Sequence, residues 1–159
     1  MSVDNLVTHV NAITKREGRV AGTFGHREAE EYILNQLSLT NLKPQTGSGF
    51  EIAYDIGGQA FTNIVGIIEG KNTELPPILL GAHCDTIYGT PCADDNAAAL
   101  SVLLEMARDM KSMDMNRAVI FCFFDAEEPP YFLQESMGST RYYEDQRNTE
   151  IHCALIMDP

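Results

Sequence analysis

The sequence has few basic residues. Its 11 Lys and Arg stand against 23 Asp and Glu, which gives a net charge of -12 at pH 7. Such a charge repels the phosphates of nucleic acids and the anionic surface of membranes. We therefore expect neither nucleic acid nor membrane as a partner, and a cation is the more natural ligand.

The sequence also lacks long apolar runs, and its first residues do not resemble a signal peptide. Its longest apolar runs, such as residues 78–82 and 118–124, are far shorter than the roughly 20 residues that a membrane-spanning helix needs. Residues 1–5 have neither the basic nor the apolar region of a signal peptide. These absences predict a cytoplasmic protein.

Cysteine pairs with the spacing of a metal or redox motif are absent. The four cysteines, Cys84, Cys92, Cys122 and Cys153, form no C-x-x-C, and two of them lie within apolar, strand-like runs. Such residues are predicted to be buried free thiols, which suits a reducing compartment.

The length and the hydrophobic content of the sequence suffice for one domain. With 159 residues, 44% of them hydrophobic, the chain can bury one sizeable core. Apolar periodicity predicts amphipathic helices over residues 5–13 and 27–39. Two β-rich runs, 50–56 and 59–69, flank a Gly-Gly pair and predict an antiparallel hairpin.

From residue 77 onward, short apolar strands alternate with helices. The predicted strands cover residues 78–83, 117–125 and 152–158, and the predicted helices cover 96–111 and about 139–145. Continuous apolar strands with helical crossovers indicate a parallel sheet that is covered on both faces. The predicted fold class is therefore α/β, a three-layer α/β/α sandwich with a mixed, mostly parallel sheet.

Acidic and imidazole side chains lie at the carboxyl end of each of these three strands. They are His83 and Asp85, then Asp125, Glu127 and Glu128, and finally Asp158. Ligands of open α/β sheets bind outside the carboxyl ends of the strands. We therefore expect these side chains to converge on one rim of the sheet.

Each group alone also has an ordinary explanation. His83 and Asp85 lie two residues apart, so they point to the same side and Asp85 can orient a metal-binding imidazole, but a plain strand-end loop can carry the same pair. The Asp94-Asp95 pair before a helix is equally explained by helix capping and the helix dipole. The Glu-Glu pair is harder to explain, because adjacent carboxylates at a buried strand end repel each other unless a cation or proton compensates.

The ordered set of H-x-D, D-D-N, E-E and M-D is more specific than its parts. With its surroundings in residues 81–85, 93–97, 123–128 and 137–139, it resembles metallopeptidase family twenty-eight, which includes bacterial leucyl aminopeptidases, glutamate carboxypeptidases and glutaminyl cyclases. The likeness runs from about residue 19 to residue 159. The other co-catalytic zinc peptidase family with an H-x-D motif usually continues into a proline and a D-x-K-G segment, which this sequence lacks.

The resemblance implies a role for each residue of the set. The implied zinc ligands are His83, Asp95, Glu128 and Asp158. Asp95 would bridge two ions, Glu127 would be the general base, and Asp85 would orient His83, for the metal-assisted hydrolysis of an amide bond. The resemblance also implies a cis peptide bond after Asp95.

The sequence departs from the family in several places. The family's fifth metal ligand is a histidine beyond the position of Asp158, so residues 1–159 are interpreted as a partial zinc peptidase catalytic domain, truncated at its C-terminal side. Two Zn²⁺ ions are expected in the complete domain and one or none in this chain. Cys92 stands where the family usually has a glycine. Outside the set, His9 and His26 are predicted to lie on the surface.

The predicted function is that of a zinc aminopeptidase, which hydrolyses the N-terminal peptide bond of a peptide substrate. A glutaminyl cyclase-like aminoacyltransferase with one zinc and a non-catalytic zinc-binding remnant stay open as alternatives. The last strand, from residue 152 to 157, is apolar on both faces. It predicts a marginally stable chain that pairs with a missing C-terminal half or with itself.

Overall fold

The computed structural model of the chain describes residues 1–158. The helices are α1 (Val3–Ile13), α2 (Phe24–Leu37), α3 (Ala99–Met110) and α4 (Gly138–Gln146). The strands are β1 (Lys43–Pro44), β2 (Glu51–Ile56), β3 (Gln59–Ile68), β4 (Ile78–His83), β5 (Val119–Phe124) and β6 (Cys153–Ile156). An irregular helical turn, Ala93–Ala98, leads into α3.

The six strands form one mixed sheet. Its order is β1-β3-β5-β4-β6, and β2 also pairs with β3. β4 runs parallel to both β5 and β6, whereas the pairings of β3 with β1, β2 and β5 are antiparallel. The predicted mixed α/β sheet is confirmed, and within residues 1–158 its parallel part consists of the three strands that end at the predicted rim.

Helices cover both faces of this sheet, which confirms the three-layer architecture. On one face α1, α2 and α3 pack against alternate residues of β5, among them Phe121 and Phe123. On the other face Tyr142 of α4 packs with the intervening residues, among them Ile120 and Phe124. All six residues of β5 are buried, as expected for a central strand whose side chains alternate between two covered faces.

The predicted β-hairpin is present. Ile56 pairs with Gln59 across a two-residue turn. Gly57 and Gly58 in that turn have positive φ angles of 64° and 84°. Glycine adopts this left-handed conformation without steric cost, and two such residues match the twist of an antiparallel pair.

Two helices begin at other residues than the sequence predicts. α2 begins at Phe24, three residues before the predicted start, because the Thr23 hydroxyl accepts the His26 N–H and caps the helix. The helix predicted from residue 96 begins regularly only at Ala99, because Asp95 and Asn96 have non-helical backbone angles. The second difference lies at the candidate site.

The edge strand β6 is shorter than predicted and fully exposed. All four of its residues face solvent, and Leu155 and Ile156 are 58% and 53% exposed. The short strand β1 lies at the opposite edge of the sheet. The four cysteines are free thiols, as predicted, but only Cys84 and Cys122 are buried, whereas Cys92 is partly exposed and Cys153 is exposed. No helix in residues 1–158 combines the length and the apolar character needed to cross a membrane.

Candidate metal centre

His83, the last residue of β4, lies at the centre of the candidate site. Its side chain is 3% exposed. The Nε2 atom lies 2.9 Å from Asp95 Oδ1 and 3.7 Å from Asp158 Oδ1. On the opposite edge of the ring, Nδ1 lies 3.4 Å from Asp85 Oδ1. One imidazole therefore faces three carboxylates.

Two further carboxylates approach from the end of β5. Glu127 and Glu128 each place an oxygen within 4.8 Å of the other and of a His83 nitrogen. The parallel register of β4 and β5 pairs His83 with Phe124, so the residues just after β5 lie beside the end of β4. The structure thus brings all six residues of the predicted site together around His83.

The position of Asp158 is fixed by two hydrogen bonds of its neighbour Met157. The N–H of Met157 donates to Gly81 O at 2.8 Å, which extends the pairing of β6 with β4. The side chain of Asn96, which is fully buried, donates to Met157 O at 2.8 Å. These two bonds place Asp158 at the rim, although its side chain is half exposed.

Asp85 connects the ends of β4 and β5. Its carboxylate is 1% exposed and accepts the backbone N–H groups of both Glu127 and Glu128, each at 2.9 Å. The sequence predicts for Asp85 only the orientation of His83. The contact of Asp85 with the two backbone N–H groups depends on the register between two strands that lie far apart in the sequence, so no local pattern indicates it.

The irregular turn places Asp95 beside His83. Its backbone angles are φ -104° and ψ 94°, and the peptide bond between Asp95 and Asn96 is cis, as the family resemblance implies. α3 begins without a side-chain cap, so helix capping does not explain the acidic pair before it. Cys92 ahead of the turn has φ 46°, the left-handed conformation that favours the glycine usual in the family.

The donor set fits a zinc ion. Imidazole nitrogen and carboxylate oxygen are both zinc ligands. Nε2 of His83 can donate at most one proton, yet two carboxylates face it, and this arrangement suits a cation between them. The buried Nδ1 of His83 has no well-aligned hydrogen-bond partner within residues 1–158, although it faces Asp85. A metal on Nε2 would leave the Nδ1–H to donate to Asp85, the usual carboxylate–histidine–metal arrangement.

The surrounding charges shift the pKa values of the site. Burial lowers the pKa of His83, but its contact with Asp85 and the charges of Asp85, Glu127 and Asp95 outweigh burial and raise the pKa to about 9. Burial raises the pKa of Asp85, but its contact with His83 and its hydrogen bonds from two backbone N–H groups outweigh burial, so the pKa is lowered. Before any metal binds, the imidazole is therefore protonated at neutral pH.

The pKa values of the two glutamates are raised, unlike that of Asp85. Burial and the neighbouring carboxylates raise the pKa of Glu127 and of Glu128, and the charge of His83 offsets part of this rise. A carboxylate with a raised pKa is a stronger base than an ordinary surface glutamate. This property suits a group that accepts a proton during a reaction.

A second buried cluster, formed by His26, Cys84 and Asp125, lies next to residues of the candidate site along the chain. His26 Nε2 lies 3.0 Å from Asp125 Oδ1, and the Cys84 thiol lies 4.0 Å from the same nitrogen. Asp125 also accepts the N–H groups of Thr62 and Ala126, so its carboxylate ties β3 and α2 to the end of β5. The prediction that His9 and His26 lie on the surface is wrong, since both are buried with carboxylate partners.

The comparisons with known proteins agree with this geometry. The model of Peptidase family M28 matches residues 63–159, a stretch that contains every predicted site residue. Aminopeptidase YwaD of Bacillus subtilis is 36% identical over 94 residues, which are 58% of this chain and 20% of that protein.

Two solved structures share the fold. Glutaminyl cyclase of Porphyromonas gingivalis is 25% identical, with a TM-score of 0.77 over 99% of this chain and 59% of that chain. A Zn-dependent exopeptidase of Parabacteroides distasonis is 24% identical, with a TM-score of 0.73 over 99% of this chain and 61% of that chain.

The chain is similar to a part of these proteins rather than to their whole length. It spans 20%, 28% and 13% of three curated relatives and about three fifths of the two solved chains. The family model nevertheless matches more than half of the chain. Together with the convergence of the histidine and the acidic residues at the ends of β4, β5 and β6, this match means that the chain belongs to peptidase family M28.

Proposed function

We propose that the chain carries the zinc-binding part of an exopeptidase that removes residues from the amino terminus of peptides. The observation that supports this proposal best is that His83 belongs to two groups of possible metal ligands, one with Asp95 and Asp158 and one with Glu127 and Glu128. Each group, together with His83, offers three donor atoms within 4.8 Å of one another. Family membership supports the peptidase chemistry.

The proposed zinc ligands are His83, Asp95, Glu128 and Asp158. Zinc bound there would supply Lewis acidity, which lowers the pKa of water and polarises the carbonyl group of the scissile bond. Asp85 holds the His83 ring in place and also fixes the backbone that carries both glutamates. These contacts preorganise the ligands and so reduce the cost of assembling them.

Glu127 is proposed as the general base. It accepts a proton from the attacking water and returns it to the leaving amine. Its raised pKa brings it closer to neutral pH, where a base both remains ionised and accepts a proton readily. The side chain is partly exposed, so a substrate can reach it.

A glutaminyl cyclase-like aminoacyltransferase with one zinc is the second candidate. The similarity to glutaminyl cyclase of Porphyromonas gingivalis over 99% of this chain favours it. Hydrolysis and cyclisation both need an activated carbonyl group and a carboxylate that moves a proton. The two activities differ in their substrates, so a test with both substrates distinguishes them.

The purified protein with added zinc is therefore to be tested with leucine p-nitroanilide and with a peptide that begins with glutamine. We expect hydrolysis of the anilide, loss of that activity with a chelator, and its return with zinc. Cyclisation of the glutamine peptide without anilide hydrolysis would favour the cyclase. Zinc binding without either reaction would contradict both enzymatic proposals and favour a non-catalytic zinc-binding role.

Zinc binding is expected to tighten as the pH rises from 7 to 9. Zinc must displace the proton of His83, whose pKa before metal binding is about 9. The dissociation constant should therefore fall about tenfold per pH unit and level off near pH 9. Competition with a chromophoric chelator measures the constant. A value that does not change between pH 7 and pH 9 would rule out His83 as the ligand that loses a proton.

A further inference from the structure

Arg19 is a fully buried arginine that lies behind the candidate metal centre. It is 0% exposed and belongs to the loop between α1 and α2. Its Nε donates to Cys84 O at 3.0 Å, and its Nη1 donates to Pro91 O at 3.2 Å and to Cys92 O at 3.4 Å. One guanidinium group thus binds three backbone carbonyls of two segments.

These two segments hold different ligands of the proposed zinc site. Cys84 lies between His83 and Asp85, whereas Cys92 precedes Asp95 by three residues. His83 Nε2 contacts Asp95 Oδ1 across the two segments, and Arg19 binds backbone carbonyls of both. The guanidinium group also fixes the carbonyl of Cys92, whose left-handed backbone is unfavourable for a residue with a side chain.

The backbone of residues 17–19 forms hydrogen bonds with the loop that follows β4. The Arg19 N–H donates to the Thr86 hydroxyl at 2.5 Å, and Glu17 O accepts the N–H of Gly89 at 3.1 Å. A Cβ atom on Gly18 would lie 2.5 Å from Ile87 O, so only glycine allows this close approach. The loop from residue 17 to residue 19 therefore packs directly on the loop that follows β4.

A contribution to the stability of the fold does not by itself explain why an arginine is buried at position 19. It forms no salt bridge within the described residues, and its partners are carbonyl oxygens. The burial of a charge without an ionic partner is costly, and an apolar side chain could fill the same space. Burial lowers the pKa of Arg19, while the nearby thiols and the carboxylates of Asp85 and Asp95 oppose this shift.

We propose that Arg19 is a positioning residue of the zinc centre, which fixes the distance between His83 and Asp95 by binding the backbone behind both. This inference rests on the proposed function, because it presumes that the two residues ligate zinc. Lysine could supply the charge but not the planar fork that reaches three carbonyls, so shape is required as well as charge.

The test compares R19M, R19K and the control R16M, which changes an exposed arginine three residues away. Zinc dissociation constants come from chelator competition, and the visible absorption spectrum of the Co²⁺ form reports ligand geometry. We expect R19M to bind zinc about 10- to 100-fold more weakly, as for the loss of other residues that orient metal ligands, and to shift the cobalt spectrum. R19K should lie between R19M and the wild type, and R16M should match the wild type.

Two further variants separate positioning from general loss of structure. I33A opens the hydrophobic core between α2 and the sheet, so it should lower the melting temperature without changing zinc affinity or the cobalt spectrum. If R19M does not fold, T86V removes the hydroxyl that accepts the Arg19 N–H and donates to Ile87 O, and it should weaken zinc binding by a smaller factor. Zinc affinity and spectra of R19M, or of T86V in its place, equal to those of the wild type would overturn this inference alone. A wild type that binds no zinc would overturn the proposed function with it.

Discussion

Asp85→Asn is expected to weaken zinc binding by about 10- to 100-fold, the range found when a residue that supports a metal ligand is lost. The Asp85 carboxylate is buried, faces His83 Nδ1 and accepts two backbone N–H groups. Asparagine has the same shape but only one accepting oxygen. Its amide nitrogen must therefore face a donor, either the His83 ring or one of the backbone groups, and that contact is lost.

Two effects of Asp85→Asn oppose each other, and the choice of pH separates them. Asp85 helps to raise the pKa of His83, so its neutralisation also reduces competition between zinc and the proton. At pH 7 this gain hides part of the loss. Chelator competition at pH 9, where the proton competes little, isolates the loss of orientation.

The matched control for Asp85→Asn is Asp145→Asn, an acid that is about half exposed on α4. It should leave the zinc affinity unchanged. Asp85→Asn should also lower the melting temperature at neutral pH, because the lowered pKa of Asp85 stabilises the fold above the ordinary aspartate range, and this contribution disappears as the pH falls. Equal zinc affinity of wild type and Asp85→Asn at pH 9 would show that Asp85 does not position the metal ligands.

The sequence predicts the convergence at the rim because the rule behind it is general. β4, β5 and β6 are short apolar segments, each followed by acids or a histidine, and parallel strands end on the same side of a sheet. His83, Glu127 and Asp158 therefore meet as expected. The family resemblance adds the cis peptide at Asp95, which no periodicity indicates.

The supporting residues could not be predicted in the same way. Arg19 and His26 lie in or next to a glycine-rich loop, where polar residues are usually exposed. They are buried because Arg19 binds the carbonyl of Cys84 and His26 binds the carboxylate of Asp125, both of which lie far away in the sequence. Asn96 likewise donates to the carbonyl of Met157, which precedes Asp158 and lies 61 residues away along the chain. Local patterns carry no information on such contacts.

Glu127→Gln is expected to reduce the turnover number of anilide hydrolysis by about 10²- to 10⁴-fold, the usual contribution of a general base. Glutamine retains the size of the side chain and one accepting oxygen, but it cannot take the proton of the attacking water. Glu135→Gln is the matched control, since Glu135 is an exposed glutamate in the same loop. Its turnover number should equal that of the wild type. Activity of Glu127→Gln at the wild-type level would exclude Glu127 as the base.

Zinc affinity decides between a base and a ligand at position 127. The geometry alone permits either role, because Glu127 lies with Glu128 and His83 in a group of three donors. A base that does not bind the metal can lose its charge with little change in zinc affinity, whereas the loss of a ligand weakens binding strongly. We therefore expect the zinc dissociation constant of Glu127→Gln to stay within about threefold of the wild type and that of Glu128→Gln to rise at least about tenfold. The reverse order would exchange the roles of the two glutamates, with Glu127 as the ligand and Glu128 as the base.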